Sequence, residues 1–193
     1  MGVGINVTLD HSAFDRALEQ LSGREFNRAA TRALNDTARQ ANRAAARMIA
    51  KESGAKVSRV RKFMSFHPAR ADRLVAEIDV SGRPVPLVEF QARQTAKGVT
   101  ARAWGVRRLY PGTFLATMAT GHTGVFRRQR RGGRRVGRFP IEELHGPSFP
   151  AIFGGDRVRS EFQTTVSQRL PVNLQRQIER EIWRATQGAR RRR

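Results

Sequence analysis

The chain of 193 residues contains no cysteine. This absence excludes disulfide bonds, zinc sites built on thiolates and catalysis by a cysteine nucleophile. No apolar run approaches the roughly 20 residues of a membrane-spanning helix, and the first ten residues lack the basic and apolar regions of a secretory signal. We therefore expect a protein that is made in the cytoplasm and has no membrane-spanning segment.

Acidic residues are also scarce, with 16 against 37 basic residues and a net charge of +21. Self-repulsion of this size disfavours a compact isolated monomer, so a polyanion should lie nearby: nucleic acid, an acidic protein ring or an anionic membrane. Only four of the basic residues are lysine. Arginine suits phosphate because its planar guanidinium donates two parallel hydrogen bonds. Codon usage in a GC-rich genome is an alternative explanation for the arginines, but it does not explain the shortage of acids.

Residues suited to catalysis are few. The four histidines are His11, His67, His122 and His145. None pairs with another at metal-ligand spacing. His122 and His145 flank an arginine-rich segment, as in a nuclease, but that region has no carboxylate before Glu142 and Glu143, whereas a metal-dependent nuclease needs several. We predict that the protein is not an enzyme and has no cofactor and no metal.

A long helix is predicted over residues 24–52. At about 100° per residue, its apolar and basic side chains fall on opposite sides. The basic side is either a solvated helix face or a surface that faces a polyanion. The apolar side comprises Phe26, Ala30, Ala33, Leu34, Thr37, Ala41, Ala44 and Met48. The basic side comprises Arg28, Arg32, Arg39, Arg43 and Arg47.

Other segments complete an α+β pattern. Alternating apolar residues predict strands at 3–9 and 73–80, with further strands at 98–106, 112–120 and 123–128. Short helices are expected from Asp10 or Ser12 to Gly23 and at 58–63. A C-terminal helix begins at Asp156 with an apolar stripe, and Pro171 either kinks it or starts a second helix. The stripe comprises Val158, Phe162, Val166, Leu170, Leu174, Ile178, Ile182 and Ala185.

These elements predict one α+β domain over residues 1–187. Its parts are a helical region at 10–66, a β-rich region at 72–153 and the C-terminal helix at 156–187. The long N-terminal helix and the C-terminal helix would pack on a small antiparallel sheet that carries an extended basic loop. Residues 188–193 form a basic tail that we expect to be disordered.

The middle of the chain has no acidic residue between Glu89 and Glu142, and its 52 positions carry twelve basic residues. Within it, seven of the twelve residues at 127–138 are arginine, and a Gly-Gly pair at 132–133 predicts a hairpin tip or a mobile loop. No motif that reads bases is present, so contact with DNA should be to phosphate alone. The predicted phosphate-facing residues are the five helix arginines together with Arg127, Arg128, Arg130, Arg131, Arg134, Arg135 and Arg138.

Residues 86–150 resemble the phage minor tail protein Z family, also called tail completion proteins. The resemblance is carried by PLVEFQARQTAKGVTARAW at 86–104, PGTF at 111–114, GVFRR at 124–128 and RFPIEELHGPS at 138–148. Phe139 stands where the family usually has leucine, and the Arg/Gly tract at 129–137 is longer and more basic than the family pattern. What the family does with this loop therefore does not transfer directly.

The resemblance implies a structural virion protein at the head-proximal end of a phage tail. There it would form a ring of identical subunits, a hexamer in keeping with tail symmetry, around the channel through which DNA passes. Its neighbours would be the tail terminator or tail tube and the head–tail connector proteins. The Ala-rich helix and the C-terminal stripe are candidate subunit interfaces. The alternative function is that of a free, sequence-nonspecific DNA- or RNA-binding protein.

The segment from Pro140 to Pro150 is poor in regular structure. It is either a docking segment for a neighbouring protein or an ordinary packed loop. Its candidate docking residues are Pro140, Ile141, Leu144, Gly146 and Pro147.

Overall fold

The computed structural model describes residues 3–7, 23–82, 84–131, 134–135 and 140–190. The helix predicted to begin at Asp10 or Ser12, Arg138 and the last three residues of the predicted basic tail, 191–193, lie outside these ranges. The chain divides into two compact units. The β unit comprises Met1–Val3, Ala46–Met64 and Val80–Gly155, and the helix unit comprises Gly4–Ala45, Ser65–Asp79 and Asp156–Arg193. The boundaries of the predicted single domain stay a prediction.

Two long helices and several short strands confirm the predicted α+β class. The helices are α1 (Gly23–Ser53), α2 (Val57–Arg61), α3 (Phe149–Phe153) and α4 (Asp156–Arg190). The strands are β1 (Val3–Val7), β2 (Met64–His67), β3 (Ala76–Val80), β4 (Arg93–Thr95), β5 (Gly98–Ala101), β6 (Arg108–Pro111), β7 (Thr113–Thr117), β8 (Thr123–Arg128), β9 (Arg130–Arg131), β10 (Arg134–Arg135) and β11 (Ile141–Glu143).

Helix α1 forms where the sequence is richest in alanine, the residue with the highest helix propensity. Glu25 in its first turn and Lys51 in its last turn oppose the partial charges of the helix ends. The predicted apolar side is buried from Phe26 to Ala41, while Ala44 and Met48 are partly exposed. The buried arc is wider than predicted, because Ala29, Ala38, Ala45 and Ile49 are buried as well.

The core of the helix unit is built around Phe26 and Ala30 of α1, against which Leu74, Ile178 and Ile182 pack. Helix α4 buries Val158, Phe162, Leu170 and Leu174 of the predicted stripe. It continues through Pro171 as one helix, so this proline does not start a second one. The unit also holds most of a three-stranded sheet in the order β1-β3-β2, in which β3 shows the predicted alternation of buried residues.

The β unit contains two antiparallel three-stranded sheets, with the orders β4-β5-β6 and β11-β8-β7, and the two-stranded hairpin β9-β10. The strand predicted at 98–106 ends at Ala101, because residues 103–105 form a 3₁₀ turn. Strands β6 and β11 were not predicted, since neither is long enough to show alternation. Gly98 is required for β5 to pair with β6, because a Cβ there would lie 2.2 Å from the Tyr110 carbonyl oxygen.

An aromatic cluster forms the core of the β unit. The Phe63 and Phe149 rings meet edge to face at 5.2 Å between centroids, and Phe90 lies 6.3 Å from Phe149. Gly146 sits against this cluster so closely that a Cβ would come within 2.3 Å of the Phe90 ring. The glycine of the Gly-Pro-Ser signature therefore has a packing role.

Candidate polyanion-binding surface

An open cleft of about 860 Å³ lies in the β unit, where ends of its two three-stranded sheets meet. The β4–β5 turn supplies Lys97, the β6–β7 turn supplies Gly112, and the end of β8 supplies Arg127 and Arg128. Glu142 of β11 is the only carboxylate among the lining residues. Three cations thus face one anion, which makes the cleft suitable for a negatively charged ligand.

The cations of the cleft are held only loosely by protein groups. Arg127 forms an ion pair of 3.2 Å with Glu142, and each side chain is more than half exposed. A pair of this kind contributes about 0–1 kcal/mol. The Arg128 guanidinium lies 5.5 Å from the centre of the Phe114 ring, a contact that orders its plane without using its N–H donors. Lys97 has no ion-pair partner among the residues that the structure describes.

The hairpin β9-β10 follows β8 in the chain, and Gln129, which also lines the cleft, is the one residue between β8 and β9. Its antiparallel register places Arg131 opposite Arg134 and Arg130 opposite Arg135. Like charges directly opposite each other destabilise a strand pair. Of the two alternatives, a hairpin tip or a mobile loop, the structure has the hairpin, with arginines on both strands. The glycines between the strands are not described by the structure.

The five arginines of α1 do not share one environment. Arg32 forms an ion pair with Glu181 of α4, a carboxylate that is 5% exposed. Arg39 pairs with Asp36 at 3.5 Å and lies over the Phe66 ring, and Arg43 donates to the Arg39 carbonyl oxygen. Arg28 and Arg47 are exposed and have no ion-pair partner within the described ranges. Arg32 therefore has a packing role inside the helix unit, whereas Arg28 and Arg47 remain open to a polyanion.

A row of buried polar residues on α4 was missed by sequence reasoning. Asn173, Gln177 and Glu181 are each nearly inaccessible. The Asn173 amide donates to the Thr37 hydroxyl at 2.9 Å, and the Gln177 amide donates to Asp36 at 3.1 Å. The signal was available in the sequence, because three polar residues spaced by four directly precede the apolar residues Leu174, Ile178 and Ile182. Such a row fixes the register of the two helices.

The candidate docking segment is mostly taken up within the β unit. Strand β11 pairs with β8, the Leu144 amide donates to the Val125 carbonyl oxygen at 2.8 Å, and the Gly146 amide donates to that of Val85 at 2.7 Å. Pro147 is buried, whereas Pro140 is exposed. These contacts are those of a packed segment, and docking of a neighbour here stays a prediction.

Two of the histidines form surface contacts with carboxylates. His122 contacts Glu143 at 2.8 Å and His67 contacts Asp79 at 3.1 Å. Burial raises the pKa of Tyr110, and the nearby charge of Arg108 opposes that rise. No group of three or more acidic or histidine residues in the described part of the chain could hold a metal ion. No helix there is long and apolar enough to cross a membrane.

Comparison with known families identifies the chain's relatives. The family model of prophage minor tail protein Z matches residues 12–187, nearly the whole chain. The match confirms the resemblance carried by residues 86–150 and extends it over both units. No curated protein and no solved structure matches the chain.

Proposed function

Because the chain belongs to the prophage minor tail protein Z family, we propose that it is a ring subunit at the head-proximal end of a phage tail. The family is one of structural tail proteins and not of enzymes, so a structural role in the tail is the premise. The head-proximal position, the hexameric ring, the tail and connector proteins as neighbours and the contact with DNA are the proposal.

The observation that supports the DNA contact is the basic surface of the β unit, where Glu142 is the one carboxylate that lines the cleft. The cleft with Lys97, Arg127 and Arg128 precedes a hairpin whose two cross-strand pairs both join arginine to arginine. A phosphate backbone beside the hairpin would remove this repulsion and give the guanidinium groups acceptors. Contacts of this kind do not distinguish base sequences. A channel through which the whole genome passes requires contacts that are independent of sequence.

The ring requires heterologous contacts that close between neighbouring subunits. Much of the apolar faces of α1 and α4, the candidates for this role from sequence, is buried. Ala44 and Met48 of α1 and Val166 of α4 are only partly buried. Subunit contacts through these two helices stay a prediction.

Two double variants with equal charge change test the hairpin. In the first, Arg130→Ser and Arg135→Ser remove one cross-strand pair of the hairpin. In the matched control, Arg169→Ser and Arg180→Ser remove two exposed arginines of α4. Particles with the hairpin variant should retain less DNA and infect less well, while the control variant should behave as the natural protein. Equal effects of the two variants would show that the hairpin is not a DNA contact.

Position and copy number need a separate measurement. An electron-microscopy map of the assembled particle should place a ring of this chain between tail and head. Deletion of the chain should leave heads and tails that are made but do not form infective particles. A location at the distal tip of the tail, or a single copy per particle, would contradict the proposed ring.

A free nucleic-acid-binding protein is the second candidate, because the net charge of +21 favours any polyanion. Such a protein should bind duplex DNA by itself, with an affinity that falls with salt at a slope of about −0.9 per phosphate contacted. It should also leave particle assembly intact when it is deleted. A subunit of the proposed ring should instead need its tail partners to retain DNA.

A further inference from the structure

A second basic surface of the β unit differs from the cleft because it also exposes large apolar side chains. We call it the Trp104 patch and define it as residues 102–109. Its apolar members Trp104, Val106 and Leu109 are 53%, 54% and 41% exposed. Arg102, Arg107 and Arg108 are exposed between them. The cleft, in contrast, includes none of the large apolar residues that the described part of the chain exposes.

The backbone at the centre of this patch is strained. Trp104 has φ 55° and ψ 35°, the left-handed conformation, which costs a non-glycine residue about 1–2 kcal/mol. Gly105 follows with φ 72°. Strain of this kind persists only where the surroundings impose it, and it is concentrated at functional sites. Here the strained turn holds a tryptophan with half of its surface in solvent.

The arginines of the patch are positioned but not neutralised. Arg107 donates to the Gln91 carbonyl oxygen and to the Thr100 hydroxyl, both at 3.2 Å, and Arg102 donates to the Gly105 carbonyl oxygen at 3.2 Å. All three acceptors are uncharged, so the positive charges stay uncompensated. Side chains that are ordered before binding lose less entropy when a partner arrives.

The strand that ends the patch is also an edge strand. In its sheet, β6 pairs with β5, which separates it from β4. An edge strand can accept a further strand from another chain. The register places Leu109 opposite Thr100, the residue whose hydroxyl holds Arg107. An apolar residue and an ordered cation therefore lie side by side at this edge.

We propose that the Trp104 patch binds an extended acidic segment of another protein. The segment's carboxylates would pair with the arginines, and its apolar side chains would cover Trp104, Val106 and Leu109. Tryptophan and arginine together are typical of the residues that dominate protein interfaces. The proposal uses a surface apart from the cleft and does not depend on the ring.

Two other occupants fit the patch less well. A second copy of this chain carries a net charge of +21 and repels the patch electrostatically. The DNA backbone would satisfy the arginines but offers no apolar surface to Val106 and Leu109. Of these three occupants, the acidic protein segment with apolar residues is the one that satisfies both halves of the patch.

The test uses the full chain and a fluorescent synthetic peptide of about twelve residues in which Asp or Glu alternates with Val or Phe, the pattern of an added strand. Its control peptide has the same charge, with Ser in place of Val and Phe. Binding is measured by fluorescence anisotropy, in competition with a DNA duplex. The protein variants are Trp104→Ala, Leu109→Ser and the matched control Val172→Ser, which changes an exposed aliphatic residue of α4.

We expect saturable binding of the apolar acidic peptide, weakened at least about 10-fold by Trp104→Ala and by Leu109→Ser but unchanged by Val172→Ser. In a Trp183→Phe protein, where Trp104 is the remaining tryptophan, its emission should shift to shorter wavelength as the peptide covers it. Equal binding of the Ser-containing peptide would overturn the proposal, because charge alone would then suffice. The absence of peptide binding would also overturn the proposal. A DNA duplex that displaces the peptide and shifts the Trp104 emission in the same way would overturn it too.

Discussion

The ion-pair cluster around Glu181 predicts an unusual ranking of stabilities. Glu181 is 5% exposed and lies between Arg32 and Arg184, whose side chains are 39% and 42% exposed. The carboxylate has little access to water, whereas each arginine can still be hydrated. Replacing Glu181 should therefore lower the free energy of unfolding less than replacing both Arg32 and Arg184.

The magnitudes follow from this difference in exposure. Replacing both Arg32 and Arg184 with Met leaves a buried, unpaired carboxylate, which costs about 3–5 kcal/mol. Glu181→Met leaves two arginines that can turn to solvent and should cost only about 1 kcal/mol. The triple Met variant removes the charges together with their desolvation penalty, so its free energy of unfolding should return to within about 1 kcal/mol of the natural protein.

Urea denaturation of the full chain measures these differences from the midpoint at a constant m-value. Arg180→Met, an exposed change on the same helix, is the control and should have little effect. If Glu181→Met destabilises the protein as much as the double arginine variant, the carboxylate is not buried between the arginines and the reasoning fails. The same experiment shows whether Arg32 is needed for folding before any loss of infectivity is attributed to DNA.

Three further predictions concern single side chains, and urea denaturation measures each. Phe26→Ala should lower the free energy of unfolding by about 3–5 kcal/mol because the ring is fully buried, whereas the partly buried Ile178→Ala should cost less; equal costs would contradict the core assignment. Trp104→Gly should be more stable than Trp104→Ala by about 1 kcal/mol because the backbone is left-handed there, and the reverse order would refute that conformation. Pro171→Ala should raise the free energy of unfolding by up to about 3 kcal/mol, because the exposed proline removes a hydrogen bond from the interior of α4, and the absence of any gain would contradict this.

Elements long enough to show a period were predictable from sequence. Helices α1 and α4 were placed to within a few residues because their apolar residues recur every three to four positions over many turns. Strand β3 was predicted from its alternation. The basic hairpin was one of two alternatives, the other being a mobile loop, because the Gly-Gly pair at 132–133 marks a turn between two arginine runs.

Features that depend on distant partners were not predictable. The ion pair of Arg32 was not predictable, because a helical projection shows only which side a residue occupies, not that Glu181 approaches that side from α4. Its place among the polyanion-facing arginines stays a prediction. The left-handed turn at Trp104 was read as part of a strand, since tryptophan favours strands and nothing local indicates strain. The strand β11 consists of three residues, too few for any period, and is defined by its pairing with β8.

The net charge therefore overstates the surface available to DNA. An arginine that pairs with a buried carboxylate, as Arg32 does, should release fewer counterions when DNA binds, because part of its charge is already compensated. In our proposals the ordered arginines of the Trp104 patch face an acidic protein, so they also contribute nothing to the salt dependence of DNA binding. The salt dependence of DNA binding should then reflect the hairpin, the cleft and the open positions Arg28 and Arg47. A slope much steeper than this set permits would mean that further arginines contact phosphate. A return to the expected slope on replacing Arg107 and Arg108 would assign those contacts to the Trp104 patch and contradict its proposed role.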